Sequence, residues 1–398
     1  MLPLTTWTCA DCGPLPTNHV HHWIQECIEF FFRVLPFHGR TSSWGEQWVD
    51  RLFLFLKLAT LDPNPLRKDI SLRTTIFTDE AEKHGMRFAA IKTRFGTYNN
   101  NFSMWMGKRR YFFEGLPRAP HAFRCPIDID DKWAVKRHLA RQGFPHAEGR
   151  TFSWLHKQAA IRYGEQLGYP LIVKPRAGSM SHHITPDIRD HATLVAAVDR
   201  ACAYGPFFIM ERFLPGCRVY RATTIDGEFV ACVERIPAHV IGDGTHTVDE
   251  LIAIKNQDPR RGGPKEKQTT CYKIILDARA LERLAEQKLT LSSTPSNGQR
   301  VWLQDKVILD LGADLAEVTL TVHADNRALF TRVAAAFPTA ILGIDFLCED
   351  ITRAYTEQRA AIIELNSLPY IDMHHFPTTG TPVNVAAKVV EMVKKYYQ

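Results

Sequence analysis

Three oxygen-bearing side chains late in the chain could do chemistry that the rest must position. AAIIELNSLP, residues 360–369, reads as a buried strand, yet Glu364 and Asn366 interrupt its apolar run. Residues two apart share one face of a strand, so a carboxylate and an amide stand side by side. Upstream, LGIDFLCED sets Asp345 between Ile344 and Phe346 in a second apolar strand. A buried carboxylate without a partner costs several kcal/mol, so something must neutralise these groups. Three oxygen ligands without Cys or His suit Mg²⁺, which keeps waters and phosphate oxygens in its other positions. The competing reading is a strand-end acid paired with Arg or Lys.

Two lysines complement the acids. Lys174 ends the apolar strand PLIVKP, and Lys136 lies on the helical segment DKWAVKRHL. Either could lay its stem on the surface with its charge in water. Together with the acidic strands they read better as phosphate ligands. The following loop, RAGSMSHHIT, could offer backbone N–H groups to phosphate, although Gly178 is its only glycine. MERFLPG then supplies a strand end whose backbone at Arg212 to Leu214 could read an adenine edge.

The positioning elements follow from periodicity. Residues 20–60 show helical Phe and Leu stripes. Between 70 and 120, TDEAEKHG reads as a short capped helix, MRFAAIK as a strand, and TYNNNFSMWMGKRRYFFEGL as a turn plus hairpin. From 129 onward DIDDKWAVKRHLARQG opens with acids and closes at Gly143 as a helix. GRTFSW, YPLIVKP and FFIMERFL read as strands, alternating with helices HKQAAIRYGEQLG and 191–204. VYRATTI and EFVACVERI form a hairpin at Asp226-Gly227. Helices at 248–256, 276–289, 325–336 and 382–397, with strands RVWLQDK, LGIDFLCED and AAIIELN, complete the reading. Antiparallel strands mixed with helices indicate an α+β protein rather than a doubly wound sheet.

At 398 residues the chain suits two or three packed units, and 45% hydrophobic with 23% charged residues is ordinary for a globular enzyme. No apolar run approaches the roughly 20 residues that span a bilayer, so no membrane partner is expected. The net charge of +6 is spread along the chain without a basic run, which suits an anionic substrate and argues against nucleic acid. Nine scattered cysteines and an N-terminus without a signal-peptide pattern predict reduced thiols and a cytoplasmic location. Cys9 and Cys12 form a CxxC ahead of His19, His21 and His22. A zinc knuckle would need a second matched pair, so a structural or incidental role is expected, with zinc as the alternative.

KWAVK, VKPRAG, MERFLPG, GIDFL and IELNSLP, in that order and at those spacings, resemble the ATP-grasp superfamily. Within it, RIPAHVIGDGTHTVDELIAIKNQDPRRG (235–262), VHADN and MHHFPTTGTPVNVA are similar to the ATP-grasp part of cyanophycin synthetases. The likeness covers about residues 125–398, and the first 120 residues do not share it clearly. It implies an ATP-grasp fold, α+β, with two subdomains (about 129–206 and 207–398) gripping ATP. A helical region (1–60) and a small α/β region (61–128) precede them. It also implies a ligase that uses ATP and Mg²⁺ to phosphorylate a carboxylate, after which an amine attacks the acyl phosphate.

Carried over by position, Lys136 and Lys174 bind the α/β-phosphates, with Gly178 and Ser179 in the phosphate loop. Glu211, Phe213 and Leu214 line the adenine and ribose end. Asp345, Glu364 and Asn366 hold magnesium, and Arg221 and Arg235 face the γ-phosphate, with a structural salt bridge as their alternative role. Two segments depart from the family pattern. Ser181 and His183 replace loop glycines, so that His182 or His183 could touch phosphate, and ILDLGAD (308–314) keeps only Leu309 and Gly312 of a substrate segment. No Mur-ligase-like domain is expected after Gln398. The expectation is therefore a stand-alone ligase for an amino acid or peptide, working as a homo-oligomer. The alternatives are a glutathione-synthetase-like tailoring ligase and a nucleotide-binding protein without turnover. Arg260, Arg261 and Lys265 are further substrate-facing candidates, and His374 and His375 further candidates for an acceptor pocket.

Overall fold

The computed structural model describes residues 19–33, 50–118, 125, 127–129, 131–176, 183–263 and 266–397. The Cys9/Cys12 pair, the loop with Gly178 and Ser179, His182, and Lys265 lie outside these residues.

A helix α1 (His19–Arg33) comes first among the described elements. A four-stranded antiparallel meander follows, β1 (Ala59–Asp62), β2 (Arg87–Thr93), β3 (Tyr98–Met106) and β4 (Arg109–Glu114). Between β1 and β2 runs α2 (Leu72–Lys83), capped by Ser71 through the Thr74 N–H. It begins about two turns before the TDEAEKHG segment expected from sequence. Thr74, Thr75 and Ile76 in those turns weaken the helical signal, because β-branching restricts χ1, while Ser71 nucleates the end. Phe77, Phe102, Met104 and Phe113 bury this unit against the C-terminal helix α10 (Val385–Tyr397).

The next unit is a second antiparallel sheet of order β5-β8-β6-β7, comprising β5 (Gly149–Ser153), β6 (Leu171–Pro175), β7 (Thr185–Ile188) and β8 (Phe207–Arg212). Helix α3 (Lys132–Arg141) leads into it, and α4 (Lys157–Leu167) and α5 (His191–Tyr204) cover one face. Register then divides the side chains. Val173 pairs with Met210, and both are buried in the helix-covered core, so Lys174 and Glu211 stand on the opposite face.

The largest sheet has the order β15-β10-β9-β16-β17. Its strands are β9 (Arg218–Ile225), β10 (Glu228–Ile236), β15 (Asp314–Glu317), β16 (Ile341–Cys348) and β17 (Ala360–Asn366). The β9–β10 turn uses Asp226 and Gly227 with φ of 52° and 84°, the left-handed pair that a two-residue hairpin requires. Tyr220, Ala222, Ile344, Phe346 and Leu365 pack onto α8 (Ala324–Ala336). Six short strands escaped sequence reading: β1, β7, β11 (His239–Ile241), β12 (Arg261–Gly262), β13 (Cys271–Tyr272) and β15. RVWLQDK contracts to β14 (Arg300–Trp302), paired with β11. Segments of two to four residues complete too few alternations for a period to show.

Candidate active site

On β16 and β17 the register pairs Asp345 with Glu364 and Gly343 with Asn366. Directly opposed residues share a face, so the two carboxylates and the amide stand together, away from the α8 core. A β-bulge follows at once, between Asp345 and Phe346, so the strand regains its apolar register immediately beyond the acids. On the other side of β16, Asp345 pairs with Arg221 of β9. Arg235 of β10 stands opposite Val219, two residues from Arg221, and joins the same face.

Asp345 is buried and held by both arginines. Arg221 donates through Nε and, at 3.0 Å, through Nη2, and Arg235 Nη1 donates at 3.3 Å. Burial pushes the Asp345 carboxyl up, but the Arg221 and Arg235 charges outweigh it and hold the group below its ordinary range. Burial likewise depresses Arg235, the less closely paired guanidinium. The guanidinium of Arg221 lies over Gly343, where a Cβ would come 3.2 Å from Nη1 and 2.8 Å from the Pro369 Cβ. Glu364 is more open, with Lys132 Nζ 3.8 Å away, and the buried Asn366 Nδ2 finds no hydrogen-bond acceptor among the described residues.

The facing sheet carries a second charge cluster. Glu211 is fully buried between Lys136 Nζ at 2.8 Å and Lys174 Nζ at 3.0 Å. Burial would raise its carboxyl, yet the two lysines pull it below the usual value. Burial and the neighbouring Lys174 charge lower Lys136 against the pull of Glu211. Lys136 also donates to the Ala147 carbonyl. The loop holding Ala147 crosses to β17, where the Ile362 N–H donates to Pro145 O at 2.9 Å and His146 bridges Ile362. That crossing docks α3 on β17 and sets Lys132 and Lys136 between the two sheets.

Asp131 was read only as a helix opener. It caps α3 through the Trp133 N–H at 2.9 Å and also binds Arg176 at 2.5 Å, tying the helix to the residue that leads into the phosphate loop. The cap was legible, whereas the Arg176 pairing spans 45 positions and leaves no local signal. At the other end of the cleft, the Arg212 and Phe213 N–H groups are taken by Glu148 O and Pro170 O at 2.8 and 2.9 Å. Of the backbone N–H groups expected from sequence to read a base, those two already have partners.

Other candidates have partners that fix them structurally. Arg261 and Lys255 both bind Asp314, and Arg260 binds Asp258. These residues line a cavity of about 470 Å³ at the sheet edge. His374 is fully buried between Thr223 Oγ1 at 2.8 Å and Glu317 Oε2 at 2.9 Å. Burial and the adjacent His374 push His375 down to about 4, and its Nε2 accepts the Ala386 N–H at the start of α10. Both histidines thus hold packing roles rather than lining an acceptor pocket. His183 is buried at a φ of 53°, with its ring stacked on Tyr204 at 4.7 Å.

Among the described residues no group of three His, Cys, Asp or Glu could hold a metal ion. The oxygen donors here, the Asp345 and Glu364 carboxylates and the Asn366 side-chain oxygen, suit Mg²⁺ bound partly by phosphate oxygens, a cation that rarely takes an all-protein cage.

No protein-family model matches the chain. Cyanophycin synthetase of Nostoc sp. (strain PCC 7120 / SAG 25.82 / UTEX 2576) is 38% identical over 341 residues, which cover 83% of the chain and 36% of that protein. The glutathione biosynthesis bifunctional protein GshAB of Mannheimia succiniciproducens is 28% identical over 288 residues, or 71% of the chain and 38% of that protein. Among solved structures, a bifunctional glutathione synthetase from Pasteurella multocida superposes with a TM-score of 0.62 at 23% identity, over 82% of the chain and 44% of its own. The chain has the ATP-grasp fold and resembles cyanophycin synthetase over most of its length. It spans little more than a third of the length of the curated relatives it matches. The Nostoc alignment is longer than residues 125–398 alone can supply, so the likeness reaches into the N-terminal part, beyond the limit read from motifs.

Proposed function

We propose that the ATP-grasp protein is an ATP- and Mg²⁺-dependent carboxylate–amine ligase that acts on an amino acid or peptide. The observation that carries this reading is the pairing of two buried charge clusters on facing sheets, Lys136–Glu211–Lys174 and Arg221–Asp345–Arg235 with Glu364. The activity of the relatives supports it, since a cyanophycin synthetase and a glutathione biosynthesis protein by name build amide-linked products.

In this reading Lys136 and Lys174 bind α- and β-phosphate oxygens and share their charge between nucleotide and Glu211. Phe213 and Leu214 border the base. Asp345, Glu364 and Asn366 hold Mg²⁺, which when bound would offset the charge of the β- and γ-phosphates. Arg221 and Arg235 already stand beside Asp345 and supply cations where negative charge grows as the γ-phosphoryl group leaves ADP for the substrate carboxylate. The amine then attacks the acyl phosphate carbon, the C–O bond to phosphate breaks, and phosphate leaves with the bonding pair. Positioned cations perform this chemistry, and no protein nucleophile is required. The free state of the seven described cysteines supports a reducing compartment, the cytoplasm.

The test is ADP release from ATP with a panel of amino acids and short peptides. Release that depends on both an acid and an amine supports the ligase. Tight ATP binding with no turnover for any pair would leave a nucleotide-binding protein instead.

A further inference from the structure

Strand β5 lies at the outer end of the order β5-β8-β6-β7, so one of its two hydrogen-bonding edges meets no strand. The register says which groups that edge presents. The Trp154 N–H donates to Pro206 O at 2.9 Å, and the Arg212 N–H to Glu148 O at 2.8 Å. Bonded and non-bonded pairs alternate along an antiparallel ladder, so Arg150 and Phe152 also turn their backbone groups to β8. Gly149, Thr151 and Ser153 turn theirs outward, where no backbone hydrogen bond among the described residues meets them. An open edge of this kind is a template for a further strand.

The edge runs along a groove. Helix α4 lies beside β5, and the two border a cavity of about 510 Å³. Ala159, Arg162, Tyr163 and Gln166 line it from α4 at the spacing of one helix face, and residues 150–153 line it from β5. Just past the strand, Trp154 and Leu155 are 46% and 69% exposed and add apolar surface.

The two sides of the edge differ in charge. Arg150 opposes Met210, which is buried in the helix-covered core, so Arg150 stands on the helix side with its guanidinium carbon 5.8 Å over the Phe152 ring. Arg162 lines the same side from α4. Neither arginine makes an ion pair among the described residues, and Glu148, which precedes β5, pairs with Arg212 at 3.6 Å. Phe207 opposes Ser153 and stands on the cleft side, with the Arg176 guanidinium carbon 5.9 Å over its ring. Asp131 already offsets the Arg176 charge. One wall of the groove is therefore cationic and the other is aromatic and close to neutral.

We infer that this edge is a docking strand for an extended acidic peptide, which adds to β5 and sets alternate side chains against the two walls. The outward N–H and C=O groups of Gly149, Thr151 and Ser153 bond its main chain. Its carboxylates meet the forked N–H groups of Arg150 and Arg162, and the side chains between them lie on Phe207. Charges that only guard an edge serve with either sign. Two unpaired arginines on one wall select a negative occupant. Docking requires no turnover, so the inference stands apart from the ligase reading.

The test is fluorescence anisotropy on the full chain with labelled peptides in which Asp and Val alternate, long enough to cover the roughly 17 Å of β5 in either register. The controls are the same peptide with Lys for Asp, the same peptide with alternate backbone nitrogens methylated, and a single-stranded RNA of equal charge. The acidic peptide should bind saturably and the lysine peptide should not. Methylation should weaken binding about ten-fold or more, because it removes the ladder donors at unchanged charge. Arg150→Glu with Arg162→Glu should weaken it at least about ten-fold, since like charges then face each other. Both arginines are exposed, so that variant should melt within a few degrees of wild type. Equal binding of the methylated peptide or of the RNA would overturn strand addition and leave a basic surface. Self-association that the double variant abolishes, with no peptide bound, would assign the edge to a second copy instead. No binding of any peptide would leave the arginines as guards of the edge.

Discussion

The two charge clusters of the cleft differ in how far the protein alone completes them. Around Glu211 the arrangement is closed, with two lysines within 3.0 Å of one buried carboxylate. Around Asp345 it is open on one side. Two arginines neutralise Asp345, but among the described residues the Glu364 carboxylate has only Lys132, at 3.8 Å, as an ion-pair partner. In the proposed reading the first cluster holds cationic charge ready for phosphate, and the second leaves the Glu364 carboxylate available to a cation that arrives with the nucleotide. A site that must take up Mg²⁺ and triphosphate together benefits from this asymmetry, because preorganised lysines cost no rearrangement whereas a fully paired metal site would have to be broken.

The largest expected effect falls on the open cluster. Glu364→Ala should lower Mg·ATP-dependent turnover by about 1000-fold, the scale of losing one electrostatic contact to a transition state. Because Glu364 is partly exposed, the melting temperature should stay near that of wild type. Turnover within ten-fold of wild type would remove Glu364 from the site.

The closed cluster should instead respond in stability. Glu211→Gln strands two buried lysines, and removing one partner of a buried ionic group costs about 3–5 kcal/mol in denaturant unfolding. Saturating Mg·ATP should recover part of that loss, since phosphate replaces the missing charge and ligand binding stabilises by mass action. Equal destabilisation with and without nucleotide would separate Glu211 from the phosphates.

A smaller effect appears in pH dependence. The carboxyls of Asp345 and Glu211 are depressed in the folded protein. Each contributes stability that is present above its unfolded value, about 4, and is lost as pH falls through the lower folded value. Unfolding free energy should therefore be level from neutrality to about pH 5 and decline below it. Glu211→Gln should flatten that decline, and an unchanged acid limb would contradict the depressed carboxyl.

The smallest predicted change is Gly343→Ala. Its Cβ would press on Pro369 and on Arg221, so overpacking should cost about 1–3 kcal/mol. Turnover should fall more than the KM for ATP rises, as Arg221 shifts from the γ-phosphate side.

Much of this was legible in sequence where a signal is local. The Asp226-Gly227 hairpin and the helix at 191–204 are visible in periodicity and turn chemistry. Asp345 and Glu364 stood out because acids in apolar strands need a reason. Sequence order could not show that these acids face arginines across neighbouring strands, because register is a tertiary fact. The same limit hid the Asp131–Arg176 tie and the hydrogen bond from Arg73, in a threonine-rich helix, to Leu368 O, 295 positions away. Arg260, Arg261, His374 and His375 looked exposed to substrate in sequence, yet partners further along the chain, such as Pro377 O for Arg260 and Asp314 for Arg261, bind them.

The most direct test is a structure of the protein with Mg²⁺ and a non-hydrolysable ATP analogue. The account predicts Lys136 and Lys174 on the α- and β-phosphates, a cation on Asp345, Glu364 and Asn366, and Arg221 and Arg235 toward the γ-phosphate. A nucleotide seated elsewhere, with Glu364 and Asn366 bare of any cation and neither lysine on a phosphate oxygen, would contradict it.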